Sequence, residues 1–344
     1  MSTEIPTIDL KDARQGTNIT KVKTTARELH KALQDIGFIY IKNHGVSEEL
    51  QSQLFSSARD FFSEDEEKKL SIAMIKAGRA WRGYFPVGTE FTSGIPDQKE
   101  GIYFGTEHTP DSELVQKQTP MHGANLWPEG KKYLTFKNQV TSYMESMQHL
   151  AQLLMELVSL GLGLSEDYFK KRFEDHPTTL FRIFHYPSQN NSNLTWGVGE
   201  HTDMGFLTIL LQDHLGGLEV QRRDGRWVSA PPIPGTLVVN IGDMLQHWTH
   251  GIYKANLHRV RNTSNQGRLS LPYFYDPSWQ ASLKPIEKSA LRNQDLERAE
   301  IQSAARDWDG LEFSSLNENV SYGEFVWEKI SKVFPDLAGK DACK

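Results

Sequence analysis

Three side chains in this sequence are spaced to hold a metal ion: His201 and Asp203, with one residue between them, and His258 further along. In a strand, side chains i and i+2 share a face, so a strand through residues 201–203 points His201 and Asp203 one way and Thr202 the other. A later strand brings His258 to the same point. Two imidazoles and a carboxylate on one face suit non-haem Fe(II), because the opposite positions stay free for reactants. His-x-Asp alone is weak in a chain with twelve histidines, and a second pair of residues downstream supplies the weight. Ten residues after His258, Arg268 and Ser270 again stand at i and i+2. A guanidinium fork beside a hydroxyl suits a carboxylate, since two parallel charge-assisted hydrogen bonds fix its position and angle. Tyr186, on the strand before His-x-Asp, offers a third donor.

The elements that must position these groups are legible from periodicity. Ile5–Leu10 alternates apolar and polar residues as a short strand does. From Asn18 to Ile36, Val22, Ala26, Leu29, Leu33 and Ile36 recur at helical spacing. Phe38–Ile41 is an apolar strand, Asn43-His44-Gly45 a turn, and Ser47 the cap of a helix whose first turn holds Glu48 and Glu49. His44 is read as a structural residue of that turn. Residues 75–127 show no sustained period and read as loops and short strands. There Trp81-Arg82-Gly83-Tyr84 and Gly101-Ile102-Tyr103-Phe104-Gly105 set aromatics beside a cation or glycines, as pocket walls do. Pro128 fits the first turn of a long helix reaching Leu162, and Ser165-Glu166-Asp167 begins a shorter one. After Pro177 the period changes to that of strands: Leu180–Tyr186, Phe206–Leu211, Gly217–Gln221, Trp227–Ser229, Thr236–Ile241 and Leu269–Tyr275. Asp224-Gly225 reads as a two-residue hairpin turn. Short strands at this interval predict a sandwich or jelly-roll barrel. From Glu287 to Asn319 the chain is polar, with a helix expected from Asn293 to Arg306. Phe325, Ile330 and Val333 are spaced to dock a last helix on the core.

Composition narrows the chemistry further. A formal net charge of -6 argues against a nonspecific nucleic-acid binder, which needs a positive surface. The single cysteine, Cys343, excludes an internal disulfide or a thiolate cluster, so a metal here takes histidine and carboxylate. The N-terminus lacks the pattern of a signal peptide and no apolar run reaches the ~18 residues of a membrane span. A monomeric cytoplasmic protein with a small-molecule partner is expected, without nucleic acid or membrane.

Read together, these residues resemble the isopenicillin N synthase-like branch of the Fe(II)/2-oxoglutarate-dependent dioxygenases. The likeness runs through Gly37-Phe38-Ile39-Tyr40-Ile41-Lys42-Asn43-His44-Gly45-Val46, Arg82-Gly83-Tyr84, Asn125-Leu126-Trp127-Pro128 and His185-Tyr186-Pro187. It continues through His201-Thr202-Asp203, Gly216-Gly217-Leu218-Glu219-Val220, Asn240-Ile241-Gly242-Asp243, His258-Arg259-Val260 and Arg268-Leu269-Ser270-Leu271-Pro272-Tyr273-Phe274. The resemblance implies an α+β chain with a mainly β core, a double-stranded β-helix (jelly roll) flanked by N-terminal helices. Residues 1–125 would form the N-terminal region, 126–177 a supporting helix and connector, 178–280 the catalytic core, and 281–344 a polar segment and final helix. It implies Fe(II) on His201, Asp203 and His258, and 2-oxoglutarate gripped at its distal carboxylate by Arg268, Ser270 and Tyr186. O2 would be the third reactant, and succinate and CO2 would be released as a C–H bond is hydroxylated, desaturated or closed into a ring. Two positions depart from the family pattern: Phe184 stands where many members carry Asn, and His250 precedes Gly251 where Asn is common. The latter reads as a turn residue.

In the family, the segments holding Arg82, Tyr84, Arg182, His185, Gln246 and His247 border the barrel mouth. Those residues imply a polar or carboxylate-bearing substrate. Two other readings stay open at this point: an Fe(II) oxidase of the isopenicillin N synthase type that needs no 2-oxoglutarate, with Arg268 and Ser270 holding the substrate instead, and a jelly-roll module that binds without catalysis.

Overall fold

In the computed structural model, which describes residues 4–92, 94–173, 176–188, 196–262, 264–299 and 320–333, the Asn18 side chain accepts from the amides of Thr20 and Lys21. It thereby starts the helix Ile19–Asp35. Ser47 caps Glu48–Phe62 in the same way, accepting from the Leu50 amide. The third long helix runs from Lys131 to Leu162. It begins three residues beyond Pro128, which sits in the preceding loop, because Gly130 at φ 117 turns the chain just before the helix. Its Tyr133, Phe136, Val140, Tyr143, Met147 and Leu150 form the buried stripe that carries the sheet.

Twelve strands are described: β1 (Thr7–Asp9), β2 (Phe38–Lys42), β3 (Gly83–Phe85), β4 (Glu100–Gly105), β5 (Pro177–Tyr186), β6 (Val198–His201), β7 (Leu207–Gln212), β8 (Leu218–Gln221), β9 (Trp227–Ser229), β10 (Thr236–Ile241), β11 (His258–Val260) and β12 (Arg268–Ser278). They form an eight-stranded sheet, ordered β1-β2-β10-β7-β12-β5-β4-β3, and a four-stranded sheet, ordered β6-β11-β8-β9. The large sheet takes strands from both sides of residue 125. One of its faces meets the helices and the other faces the small sheet across a cavity lined from both. This is the jelly roll, α+β in class, with the helices backing one side. The β8–β9 turn is longer than two residues: Arg222 pairs with Arg226, leaving Arg223-Asp224-Gly225 as the loop, and Gly225 takes φ 81.

Strand parity decides which side chains reach the cavity. Along β5, Leu180, Arg182, Phe184 and Tyr186 point inward, while Phe181 turns outward onto Tyr143 of the long helix, 5.1 Å between ring centroids. On the small sheet His258 and Val260 point inward, and the intervening Arg259 points out. There Arg259 donates to Glu219 and Glu200 and lies over the rings of Trp196 and Trp227. This outer clamp ties β6, β11 and β8 in the register that places the two histidines. The polar segment's helix stops at Arg298 and packs at the side, with Gln34 donating to Asp295 at 3.1 Å. Residues 300–319, and Cys343, lie outside the described residues. The last helix, Tyr322–Val333, buries Phe325 and Ile330, and its Val326, Lys329 and Ile330 wall the cavity.

Candidate functional site

His201 and His258 face each other as a cross-strand pair between β6 and β11, with ring centroids 4.1 Å apart. β6 ends at His201, so Asp203 arrives from the turn after it and not from the i+2 position of a strand. That turn is pinned from behind: Asp243 and Met244 donate backbone amides to the carbonyls of Asp203 and Met204 at 2.8 and 3.1 Å. One ligand atom from each of His201, Asp203 and His258 falls within 4.8 Å of the others.

The surroundings orient all three groups for a metal. The Nδ1 of His201 lies 2.8 Å from the Gly199 carbonyl, and that of His258 lies 3.2 Å from the Asn256 carbonyl. A carbonyl accepts only, so each Nδ1 carries the proton and each Nε2 presents a lone pair. Asp203 accepts from Thr208 at 2.5 Å and from Asn240 at 2.6 Å, both at Oδ2. Its Oδ1 is thereby left on the side of His258 Nε2, 3.7 Å away. Burial, and next the neighbouring His258, hold the His201 imidazole well below its ordinary pKa, so it stays neutral. Burial works against the Asp203 carboxylate, but the histidines and the two hydrogen bonds outweigh it and keep its pKa low. Asn240 and Thr208 hold the candidate ligand Asp203; Asn240 stands in the Asn240-Ile241-Gly242-Asp243 run that carries the family likeness, and no motif marks Thr208. Their visible sign is a polar side chain inside each of two apolar strands.

Arg268, Ser270 and Tyr186 come together on adjacent strands: Arg268 pairs with Tyr186 in the β12–β5 ladder, and Ser270 with Phe184. The Arg268 side chain is wholly buried, its Nε donates to the Gly216 carbonyl, and its Cζ lies 4.8 Å from the Tyr186 ring centre. Its Nη1 and Nη2 are buried donors with no hydrogen-bond partner. Orphaned guanidinium donors are expensive in a dry interior unless they serve a ligand. They meet the demand of a planar carboxylate such as the distal end of 2-oxoglutarate. The His-Asp-His donor set, with two nitrogens and one oxygen, fits Fe(II) equally well.

Of the six residues expected to face the substrate, the cavity takes one, Arg182. His185 is three residues from Arg182 on β5, so it must point the other way. There it stacks on Phe62 at 5.2 Å and its Nδ1 lies 2.8 Å from Glu100. Tyr84 donates to the same Glu100 at 2.6 Å. Arg82 is buried and donates to the carbonyls of Ala80, Trp81 and Met121. Gln246 accepts the Ala255 amide at 2.7 Å, and His247 Nε2 lies 2.8 Å from the Leu283 carbonyl, so both close the connection around the helix Asp243–Trp248. His44 accepts the Val46 amide in its turn, and His250 takes φ 53 before Gly251, as a turn residue does.

Beside Arg182 lies a buried charged cluster that the sequence barely signals. Lys99 Nζ lies 2.8 Å from Glu90 and 2.5 Å from Asp97, Thr92 donates to Asp97 at 2.5 Å, and Tyr103 donates to Glu90 at 2.6 Å. Burial opposes the Lys99 charge, but Asp97 and Glu90 more than offset it and raise its pKa. The Asp97-Gln98-Lys99-Glu100 run before β4 is its trace in the sequence.

Comparison with known proteins agrees with this arrangement. Residues 177–277 match the model of the 2OG-Fe(II) oxygenase superfamily, and residues 5–130 match that of the N-terminal region of non-haem dioxygenases in morphine synthesis. A probable iron/ascorbate oxidoreductase of Dictyostelium discoideum is 42% identical, covering 97% of this chain and 96% of its own length. A 1-aminocyclopropane-1-carboxylate oxidase of Dictyostelium mucoroides is 35% identical, covering 98% and 97%. A full-length Neurospora crassa protein solved in complex with alpha-KG and thymine superposes with a TM-score of 0.76 at 26% identity, covering 94% of this chain and 97% of that one. With a relative this similar along its whole length, the chain belongs to the 2OG-Fe(II) oxygenase superfamily and is an oxidoreductase that uses Fe(II), 2-oxoglutarate and O2.

Proposed function

We propose that His201, Asp203 and His258 hold the iron, that Arg268, Ser270 and Tyr186 hold the distal carboxylate of 2-oxoglutarate, and that the enzyme oxidises a C–H bond of a small carboxylate-bearing metabolite. The observation that carries this reading is the Arg268 guanidinium, whose two terminal nitrogens are buried without a partner against Tyr186, which shares a cavity lining with the His-Asp-His cluster. When bound, the iron, 2-oxoglutarate and O2 together supply the oxidising power, with succinate and CO2 as coproducts. The chain's own residues hold and orient. Asn240 and Thr208 fix the Asp203 carboxylate, and the carbonyls of Gly199 and Asn256 fix the imidazole tautomers. Val198, Leu210, Leu218 and Val260 surround the cavity with apolar surface that keeps bulk water from the reacting groups.

A carboxylate on the substrate is supported by the cavity's further cations, Arg182 and Lys99, and by relatives whose names point to carboxylate-bearing molecules. These are the aminocyclopropane-carboxylate oxidase and a homoarginine-6-hydroxylase of Glycine max, 35% identical over 81% of this chain. The oxidase reading without 2-oxoglutarate is not favoured, since the structural neighbour from Neurospora carries alpha-KG. Among the described residues no helix is long and apolar enough to cross a membrane. A monomer acting in the cytoplasm is our reading of its setting.

The test is anaerobic addition of Fe(II) and 2-oxoglutarate, which should produce a metal-to-ligand charge-transfer band. Admission of air should then release succinate in amounts that depend on both. An active enzyme that makes no succinate sinks the proposal.

A further inference from the structure

Among the described residues, Arg182 is the one arginine in the cavity's lining, where the other cations, Lys99 and Lys329, are ammonium groups in ion pairs with buried carboxylates. Its guanidinium carbon lies 4.3 Å from the ring centre of Tyr103, 4.5 Å from that of Phe274 and 5.1 Å from that of Trp81. Aromatic faces stabilise the cation by their quadrupoles and hold the planar group flat, while leaving its edge donors unused. Arg182 makes no hydrogen bond among the described residues, and its Nε is a buried donor without a partner. The one carboxylate within ion-pair reach is Glu90 at 3.7 Å, and Glu90 is already engaged by the Lys99 ammonium and the Tyr103 hydroxyl. Lys99, in turn, is held by Glu90 and Asp97. The cluster therefore fixes the surroundings of Arg182 and leaves its fork to something else.

Position separates this fork from the cosubstrate's. Arg182 stands four residues before Tyr186 on β5, about 13 Å along a strand at 3.3 Å per residue, with Phe184 as the inward residue between them. Phe274, which covers its face, stands four residues past Ser270 on β12. The cavity thus has Arg182 in its lining at one place and Tyr186 and Ser270, the neighbours of Arg268, at another, with the His-Asp-His cluster also in its lining.

We infer that Arg182 anchors the carboxylate of the substrate itself, and that this substrate is a monocarboxylic acid with an apolar body and no ammonium beside the carboxylate; the inference rests on the reading that Arg268 holds 2-oxoglutarate. An α-ammonium lies two bonds from its carboxylate, so it would meet what surrounds Arg182. That neighbourhood holds a second cation, Lys99, aromatic rings already facing a guanidinium, and two carboxylates already engaged, Glu90 by Lys99 and Tyr103, and Asp276 by the Phe206 amide. An apolar chain meets the rings of Phe184, Phe274 and Trp81 at no such cost.

The test uses the full-length enzyme loaded with Fe(II) and 2-oxoglutarate under nitrogen, titrated calorimetrically with hydrocinnamate, octanoate and cyclohexanecarboxylate. The amide of each and phenylalanine, which is hydrocinnamate bearing an α-ammonium, are the controls. At least one acid should bind more than tenfold better than its amide, and hydrocinnamate better than phenylalanine. Arg182→Gln should weaken the preferred acid by about 10- to 100-fold, as the loss of a charge-assisted hydrogen bond does, and abolish the preference for acid over amide. Arg182→Lys, which keeps charge but loses the fork, should fall between. The charge-transfer band is read in parallel. Its absence in the unaltered enzyme defeats the cosubstrate assignment, whereas a normal band with no acid preference in the unaltered enzyme defeats this inference alone. Equal acid binding by both variants, tighter binding of phenylalanine, or a loss of 2-oxoglutarate rather than acid on Arg182→Gln also overturns it.

Discussion

Arg82 and Arg268 are both completely buried arginines, and they do opposite work. Arg82 turns back on its own loop and spends Nη1 and Nη2 on the carbonyls of Ala80, Trp81 and Met121, leaving Nε without a partner and tying that loop to the segment before the long helix. Burial, opposed in part by Glu107, pushes its pKa down to about 10, still well above neutrality, so the charge persists. Arg268 gives one donor to the Gly216 carbonyl and keeps Nη1 and Nη2 in reserve inside the jelly roll. A guanidinium whose terminal nitrogens are engaged holds the fold, and one whose terminal nitrogens are not engaged is open to a ligand. The same residue type at the same burial therefore takes its role from where its donors end.

Exchange of each arginine for leucine should separate the two roles. Arg268→Leu is expected to weaken 2-oxoglutarate by about 100-fold or more, since hydrogen bonds to a charged group contribute roughly 1.5–3 kcal/mol each. The thermal midpoint of the metal-free protein should change little, because the disappearance of two unpaired buried donors offsets the loss of the one bond to the Gly216 carbonyl. Titration of the charge-transfer band and a melting curve read both, and a clear drop in the midpoint would falsify the contrast. Arg82→Leu should reverse the pattern. Carbonyls that lose a buried donor cost about 1–3 kcal/mol each, so urea unfolding should show several kcal/mol lost while the 2-oxoglutarate dissociation constant stays put.

Asn240→Ala extends the comparison to the metal. Removing one of two donors to Asp203 Oδ2 should lower Fe(II) affinity by about 10- to 100-fold, the usual effect of an outer hydrogen-bond partner. Competition with a chelator measures it, and an unchanged affinity would mean that Thr208 suffices. The smallest effect belongs to the Arg82 side. Burial pushes the His122 imidazole down to about 4, and the nearby His108 and Arg82 add to this. The unfolded chain binds that proton near the ordinary histidine value, about 6.5. Between those values the unfolded state carries more protons, so stability should fall as pH drops through the window and be complete above it. His122→Gln should flatten that limb of the thermal midpoint against pH, and an equally steep limb in the variant would remove His122 as its cause.

Much of the candidate site is legible because chain neighbours fix it. His201-Thr202-Asp203, Arg268-Leu269-Ser270 and His258 carry their chemistry in residue type and spacing, and strand parity puts Arg268 and Ser270 on one face wherever the strand lies. Parity also bears on the pocket: Arg182 and His185 differ by an odd number, so only one of them can face the cavity and the other must face the helices. Asp203 shows the reverse case, since its strand stops at His201 and its position comes from amides of the Asp243–Trp248 helix.

By itself the sequence determined the run of short strands, the His-x-Asp pair and the arginine-serine pair, because each depends on periodicity or on spacing within a few residues. Only the tertiary structure decided which buried arginine has its terminal nitrogens engaged and which does not. That outcome depends on carbonyls and rings brought from distant segments, Met121 beside Arg82, Gly216 beside Arg268, and Tyr103 with Phe274 beside Arg182. Hydrogen-bond satisfaction is a property of the packed interior, and no local pattern in the chain encodes it.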